Sequence, residues 1–210
     1  MTESPRTMFR IRELRPEDGP RLAALYARVQ DPYLPEHARL VQEMHARARQ
    51  AQARNDRWRP LPDHAPAAAD ATHEAFWVAL ADQTAEQIVG TLGLRRVGDD
   101  NTAAVDTAEW CGLPTALDWV AHRRVGELRR MRVAPEWRRR GVASALLSAG
   151  HDYAASNGIE QLVLNTTSAQ IPALQLYTKH GFRELTRTYL GSYELVWLAR
   201  DVRSRQTLDR

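Results

Sequence analysis

The chain has 210 residues, 43% hydrophobic and 26% charged, the composition of a globular domain large enough for a real core. Its formal charge of +3 (29 basic against 26 acidic residues) is small, and with Lys179 as the single lysine the pI near 9.3 rests on arginine. No aromatic interleaving accompanies those arginines, so no nucleic-acid partner is expected. The single Cys111 excludes an intramolecular disulfide and a cysteine zinc site. No apolar run approaches the roughly 18 residues of a membrane span, and Met1 to Thr7 is too polar for a signal peptide. The expectation is one cytoplasmic domain over residues 1–210, monomer or homodimer, without membrane contact.

Phe9 to Leu14 alternates apolar and polar residues and predicts a first strand. After the break at Pro16–Pro20, Leu22, Leu25, Tyr26 and Val29 give a helix with one apolar stripe. A second helix is predicted from Glu36 to about Arg54, with Leu40, Val41, Met44 and Ala48 as a narrow stripe, and 59–72 reads as a loop. Glu74–Ala81 and Gln87–Leu94 are strands, the latter with two glycines that mark a bulge or a close backbone approach. The segment 98–124 has no clear period and carries Trp110 and Trp119. A connection of that length in a compact domain is usually functional, and an ordered flap touching the substrate is expected there.

Glu127 to Val133 is a short strand pattern that stops at Ala134–Pro135. An arginine-rich turn, Arg138, Arg139 and Arg140, then runs into Gly141, and a helix of small and aliphatic residues follows from Val142 to Ala154. The first turn of a helix carries unpartnered N–H groups and partial positive charge. A glycine there lets an anion approach them closely. Strand, arginine–glycine turn and helix together form a recipe for holding phosphate, although neither GxxxxGK[ST] nor GxGxxG is present.

Gly158 is expected to cap that helix in the left-handed conformation. Ile159–Asn165 is a mostly apolar parallel strand, and Pro172 opens a helix ending at Gly181. Phe182–Leu190 and Tyr193–Ala199 are strands joined by Gly191–Ser192, a hairpin signal, and 200–210 reads as a frayed tail. The order β-α-α-β-β, an insertion at 98–124, then β-α-β-α-β-β gives an α+β fold with a mixed, mostly antiparallel sheet.

That order, together with Arg138-x-x-Gly141-x-Ala143, resembles the GNAT superfamily of N-acetyltransferases and its acyl-coenzyme A pyrophosphate loop, (Gln/Arg)-x-x-Gly-x-(Gly/Ala). The resemblance covers nearly the whole chain. Glu127 lies fourteen positions before Gly141 (141 minus 127), where members often carry a strand glutamate, and Leu176-Tyr177-x-x-x-Gly181-Phe182 is similar to the family's tyrosine helix and its glycine cap. Glu136-x-Arg138-x-x-Gly141-Val142-Ala143, Leu164-Asn165-Thr-Thr and Leu174-x-Leu176-Tyr177 look closest to the camello-like acetyltransferases. Two departures stand out: vertebrate camello-type proteins carry a membrane segment, and Gln170 stands where many members have asparagine.

The resemblance implies an acetyl-CoA-dependent N-acetyltransferase that releases coenzyme A, and assigns residues to it. Arg138, Arg139, Arg140, Gly141, Val142, Ala143 and Ser144 would hold the pyrophosphate. The backbone of Met131, Arg132 and Val133, with Asn165, Gln170, Ala173 and Tyr177, would hold the rest of the cofactor. Acetyl transfer to an amine needs a base for the amine proton and an acid for the thiolate. Glu127 is the candidate base, directly or through water, and Tyr177 the candidate acid. On a regular strand Glu127, Arg129, Met131 and Val133 share one face, so Arg129 is expected beside Glu127, either pairing with it structurally or touching the acceptor with Trp110 and Trp119. No metal is expected: HExxH and paired-cysteine spacings are absent. The acceptor is a small amine or amino acid derivative; a protein N-terminus or lysine side chain, and a non-catalytic acyl-CoA module, are the alternatives.

Overall fold

The computed structural model describes residues 8–29, 75–82, 87–97, 124–190 and 192–202. The predicted helix at 36–54, the loop at 59–72 and nearly all of the 98–124 insertion, including Trp110 and Trp119, lie outside them. The described elements are β1 (Phe9–Glu13), α1 (Gly19–Arg28), β2 (Ala75–Ala81), β3 (Ile88–Val97), β4 (Val125–Val133), α2 (Val142–Ser156), β5 (Gln161–Thr167), α3 (Ile171–Lys179), β6 (Arg183–Leu190) and β7 (Tyr193–Asp201). They build a seven-stranded sheet in the order β1-β2-β3-β4-β5-β7-β6, antiparallel except between β4 and β5. This is the expected mixed α+β sheet. Among the described residues no helix is long and apolar enough to cross a membrane.

Each face of the sheet has its own core. On one side α1 lays Leu22 and Leu25 against Phe76, Val78 and Leu80. On the other, α2 buries Leu146 and Leu147 against Trp77, Leu92, Leu94 and Leu128, while Tyr177 of α3 and Phe182 join the same cluster. The start of α1 is tied down by Asp18, which is fully buried. It accepts from Arg12 Nη1 at 2.6 Å and Nη2 at 2.8 Å and from the Arg15 backbone N–H at 2.9 Å. Those bonds compensate the cost of burying a charge.

One of the two β3 glycines marks a close approach, as its sequence suggested. A Cβ on Gly90 would meet Val142 Cγ1 at 2.8 Å, so the first residue of α2 sits directly on β3. The left-handed conformation expected at Gly158 is present, at φ 71°, and Gly181 shares it at 79°. The C-terminus departs from expectation. β7 runs through Asp201, and buried Val202 donates its N–H to the Glu160 carbonyl at 2.8 Å, so residues 200–202 belong to the fold rather than to a frayed tail.

Candidate active site

The site begins with a failure of two strands to stay together. β4 and β5 pair at Val125–Gln161, Gly126–Leu162 and Glu127–Val163. Beyond that both strands continue, β4 to Val133 and β5 to Thr167, without a shared ladder, which is an opening in the backbone pairing between them. β5 remains paired with β7 along its whole length, so the divergence belongs to β4.

Its origin is a bulge. Gly93 faces Arg129 and Thr91 faces Arg132, so β4 takes three steps where β3 takes two. The extra residue falls at Arg130–Met131, and Arg130 has the left-handed φ of 54°, uncommon for a side-chain-bearing residue. Bulges bend their strand and increase its twist. The buried Thr91 hydroxyl donates to the Arg130 carbonyl at 2.8 Å.

The bulge corrects the expectation that Glu127, Arg129, Met131 and Val133 share a face. Cross-strand register instead aligns Glu127, Arg129 and Arg132 on the α1 side. Met131 and Val133 turn to the other side and pack against the core beneath α2 and α3. Simple alternation cannot survive an inserted residue, because a shift of one exchanges the faces.

Glu127 is 4% exposed. Its Oε2 accepts from Arg95 Nη2 at 2.7 Å and Nε at 3.0 Å, and Arg129 Nε lies 3.6 Å from Oε1. Arg129 is thus beside the carboxylate as expected, yet the closer partner is Arg95, which the sequence reading missed. Arg95 is the residue directly opposite Glu127 on β3. An arginine just past Leu94, opposite a strand glutamate, was the available signal, but using it required the register. On the same side Arg132 lies over the Tyr26 ring, 5.1 Å from its centroid. The Tyr26 hydroxyl is buried without a hydrogen-bond partner among the described residues. Alternation from Val163 puts Asn165 and Thr167 on this side too.

Tyr177 occupies the opposite side. Its ring meets Phe182 edge to face at 5.9 Å, and burial pushes the phenol up to about 12. Gln170, the residue before α3, accepts from Thr166 Oγ1 at 3.1 Å, and Ala173 packs on the core one turn later.

The turn follows directly on the unpaired end of β4. Arg138, Arg139 and Arg140 are all exposed; Arg138 Nε reaches the Val133 carbonyl at 3.4 Å, and Arg140 lies 5.3 Å from the Trp137 ring centroid. Arg139 and Gly141 adopt left-handed conformations, φ 62° and 83°, with Arg140 between them on the ordinary side. Turns of alternating hand aim successive N–H groups inward. Gly141 caps α2 without a side-chain hydrogen bond, and a Cβ there would meet nothing within 4 Å. The first intrahelical bond runs from Ala145 N to the Gly141 carbonyl at 3.0 Å, which leaves the N–H groups of Val142, Ala143 and Ser144 without helix acceptors. Ser144 Oγ contacts His180 Nε2 at 2.9 Å. Burial, with Arg200 and Lys179 nearby, lowers the His180 pKa.

Residues 38–182 match the family model described as the acetyltransferase (GNAT) family. The chain belongs to the GNAT acetyltransferase family. Among characterised relatives, N-acetylaspartate synthetase of Danio rerio is 31% identical over 117 residues, covering 56% of this chain and 32% of that protein. Human N-acetyltransferase 8B is 29% identical over 114 residues, 54% of this chain and 40% of that one. These two are the camello-like side of the family, and this GNAT chain spans well under half the length of either. The fold matches the Escherichia coli ribosomal-protein-S18-alanine N-acetyltransferase at a TM-score of 0.56, with 16% identity over 93% of this chain and 94% of that one. Arabidopsis thaliana NAA60, solved in complex with acetyl-CoA, matches at 0.55, with 15% identity over 92% and 98%.

Proposed function

We propose that the protein transfers an acetyl group from acetyl-CoA to the primary amine of a small molecule or amino acid derivative. The observation that carries this reading is an opening with chemically different sides. Glu127 and three arginines lie on the α1 side, the Tyr177 phenol on the α2–α3 side, and the α2 start with its free first-turn N–H groups follows the unpaired end of β4. The amino acid derivative as acceptor is further supported by the likeness to N-acetylaspartate synthetase.

The residues fit the donor. The first-turn N–H groups of Val142, Ala143 and Ser144, with Arg138, Arg139 and Arg140 around them, suit a pyrophosphate, and the open space at Gly141 admits it. The strand backbone from Met131 through Arg132 to Val133 borders the opening, where an extended pantetheine arm can pair as a strand would. Asn165 across the gap, and Gln170 and Ala173 at the start of α3, bound its other edge. The bound donor supplies an acetyl thioester.

The reaction makes a carbon–nitrogen bond and breaks the carbon–sulfur bond. One proton leaves the amine and one ends on the thiol. Glu127 takes the amine proton through water: a carboxylate clamped by Arg95 and Arg129 is poorly suited to direct abstraction but well placed to orient a water and the incoming amine. Arg129 and Arg132 face the acceptor on this side. Tyr177 serves the sulfur from the other. A phenol held at about 12 donates a hydrogen bond yet gives up its proton reluctantly to a thiolate, since an ordinary thiol such as that of cysteine lies at about 8.5. Its role is therefore to stabilise developing charge on sulfur, with the proton arriving finally from solvent or the amine.

A panel of amines, including amino acids, their conjugates and peptide N-termini, tests the reading by thiol release from acetyl-CoA. At least one amino acid derivative should support turnover. If coenzyme A binds and none of the amines releases thiol, the chain is a binding module and the proposal fails.

A further inference from the structure

We propose that Thr91 is a positioning residue for acyl transfer, holding the β4 bulge so that the Met131 backbone N–H points into the opening between β4 and β5. The inference rests on the acetyl-transfer reading above and extends it to a residue of a neighbouring strand.

Thr91 is fully buried in β3, where a hydroxyl is unfavourable unless it is bonded. Among the described residues its hydroxyl donates to the Arg130 carbonyl at 2.8 Å. That carbonyl lies outside the regular ladder, because Thr91 pairs in register with Arg132, two residues further on. The bond therefore holds no ordinary strand pair. It holds the one peptide that the bulge has turned, following a residue at φ 54° that is not glycine.

The direction follows from peptide geometry. In a planar trans peptide the carbonyl and the N–H point opposite ways. With the Arg130 carbonyl drawn toward β3, the Met131 N–H of the same peptide points away from β3. On that side the β5 ladder has already ended, at Glu127–Val163, and among the described residues no strand pairs with β4 there. A backbone donor aimed at the position where a thioester carbonyl gathers negative charge is the kind of group that stabilises acyl transfer. Thr91 touches neither reactant. It sets the angle of the donor, and its hydroxyl opposes relaxation of Arg130 to the usual extended conformation.

Thr91→Val removes the hydroxyl at nearly constant shape. The expected result is a kcat lower by about 10–100-fold, less than or comparable to loss of a whole oxyanion donor, with coenzyme A affinity within about twofold of wild type. Thr91→Ser keeps the hydroxyl and should recover most of the rate. Readouts independent of turnover come from the bound state. In the wild type the Met131 amide resonance should shift more with acetyl-CoA than with coenzyme A, and in Thr91→Val that difference should collapse. Adding Arg130→Gly, which takes a positive φ without strain, should restore part of the rate to the valine variant, a recovery that simple packing by Thr91 would not produce. Thermal melts confirm that the variants are folded. A folded Thr91→Val with wild-type kcat, or a serine variant as slow as the valine one, overturns the inference and leaves acetyl transfer intact. Failure of the wild type to bind coenzyme A would instead overturn the acetyl-transfer reading itself.

Discussion

Glu127 and Tyr177 lie on opposite sides of the sheet, and single substitutions separate what each does. Tyr177→Phe keeps the ring against Phe182 and should leave stability nearly unchanged, while kcat falls by about 10²-fold, the low end for a positioned acid or donor. Because burial raises the phenol to about 12, it stays protonated through the accessible alkaline range. Wild-type kcat should accordingly show no fall between pH 8 and 10 that disappears in the phenylalanine variant; such a fall would contradict the assigned role. Glu127→Gln tests the other side. If the carboxylate relays the amine proton, kcat/KM should drop and partly recover as pH rises, because the free amine becomes abundant without help. If it serves only the Arg95 and Arg129 pairs, urea midpoints will shift while the pH profile keeps its shape. At this scale the sequence was only partly legible. The glutamate and tyrosine were singled out by the family resemblance, whereas Arg95 became Glu127's nearest partner through cross-strand register, which no local pattern carries.

Among elements, the turn and α2 were the most legible part because their signals are contiguous: a strand stop, arginines, a glycine, then a small-residue helix. The bulge next to them was not. An inserted residue leaves the hydrophobic alternation on either side looking regular, so Met131 and Val133 were expected on Glu127's face and lie on the other. The structure also shows why Gly141 suits the turn: its φ of 83° disfavours any side chain, and the space above it is open. Gly141→Glu would bring a carboxylate and backbone strain to the same spot. Coenzyme A affinity measured by calorimetry should fall by at least about tenfold, equivalent to about 1.4 kcal/mol, while adenine-free thiols show no comparable change. Unchanged affinity would move the pyrophosphate elsewhere.

For the whole molecule, the fold was legible from the order of elements, since an antiparallel meander followed by crossover helices leaves few topologies open. The long 98–124 connection was recognised but its position relative to the sheet was not. The structure supplies its end points. Val97 pairs with Val125 at the end of β4 that carries Glu127, and the arginine turn follows the opposite end of that strand. The insertion is thus rooted at the end of β4 that carries Glu127. Shortening it should raise the KM for the amine several-fold with acetyl-CoA affinity near wild type; a folded deletion that loses acetyl-CoA would refute that division.

The short parallel ladder between β4 and β5 has a mechanical consequence. Strands β1 to β4 form one half of the sheet and β5, β7 and β6 the other, and among the described residues the parallel ladder joining them is three residue pairs long. Whatever lies in the gap acts as a suture. A coenzyme pairing with the free edge of β4 while α3 bounds the other side would bind both halves at once. Ligation at a hundred times Kd stabilises a folded protein by about 2.7 kcal/mol, and here that gain should appear selectively in amides of β5 and the facing part of β4. Hydrogen exchange with and without coenzyme A would show protection concentrated along the seam. Uniform protection across β1 and β2 as well would mean that the halves already move as one body.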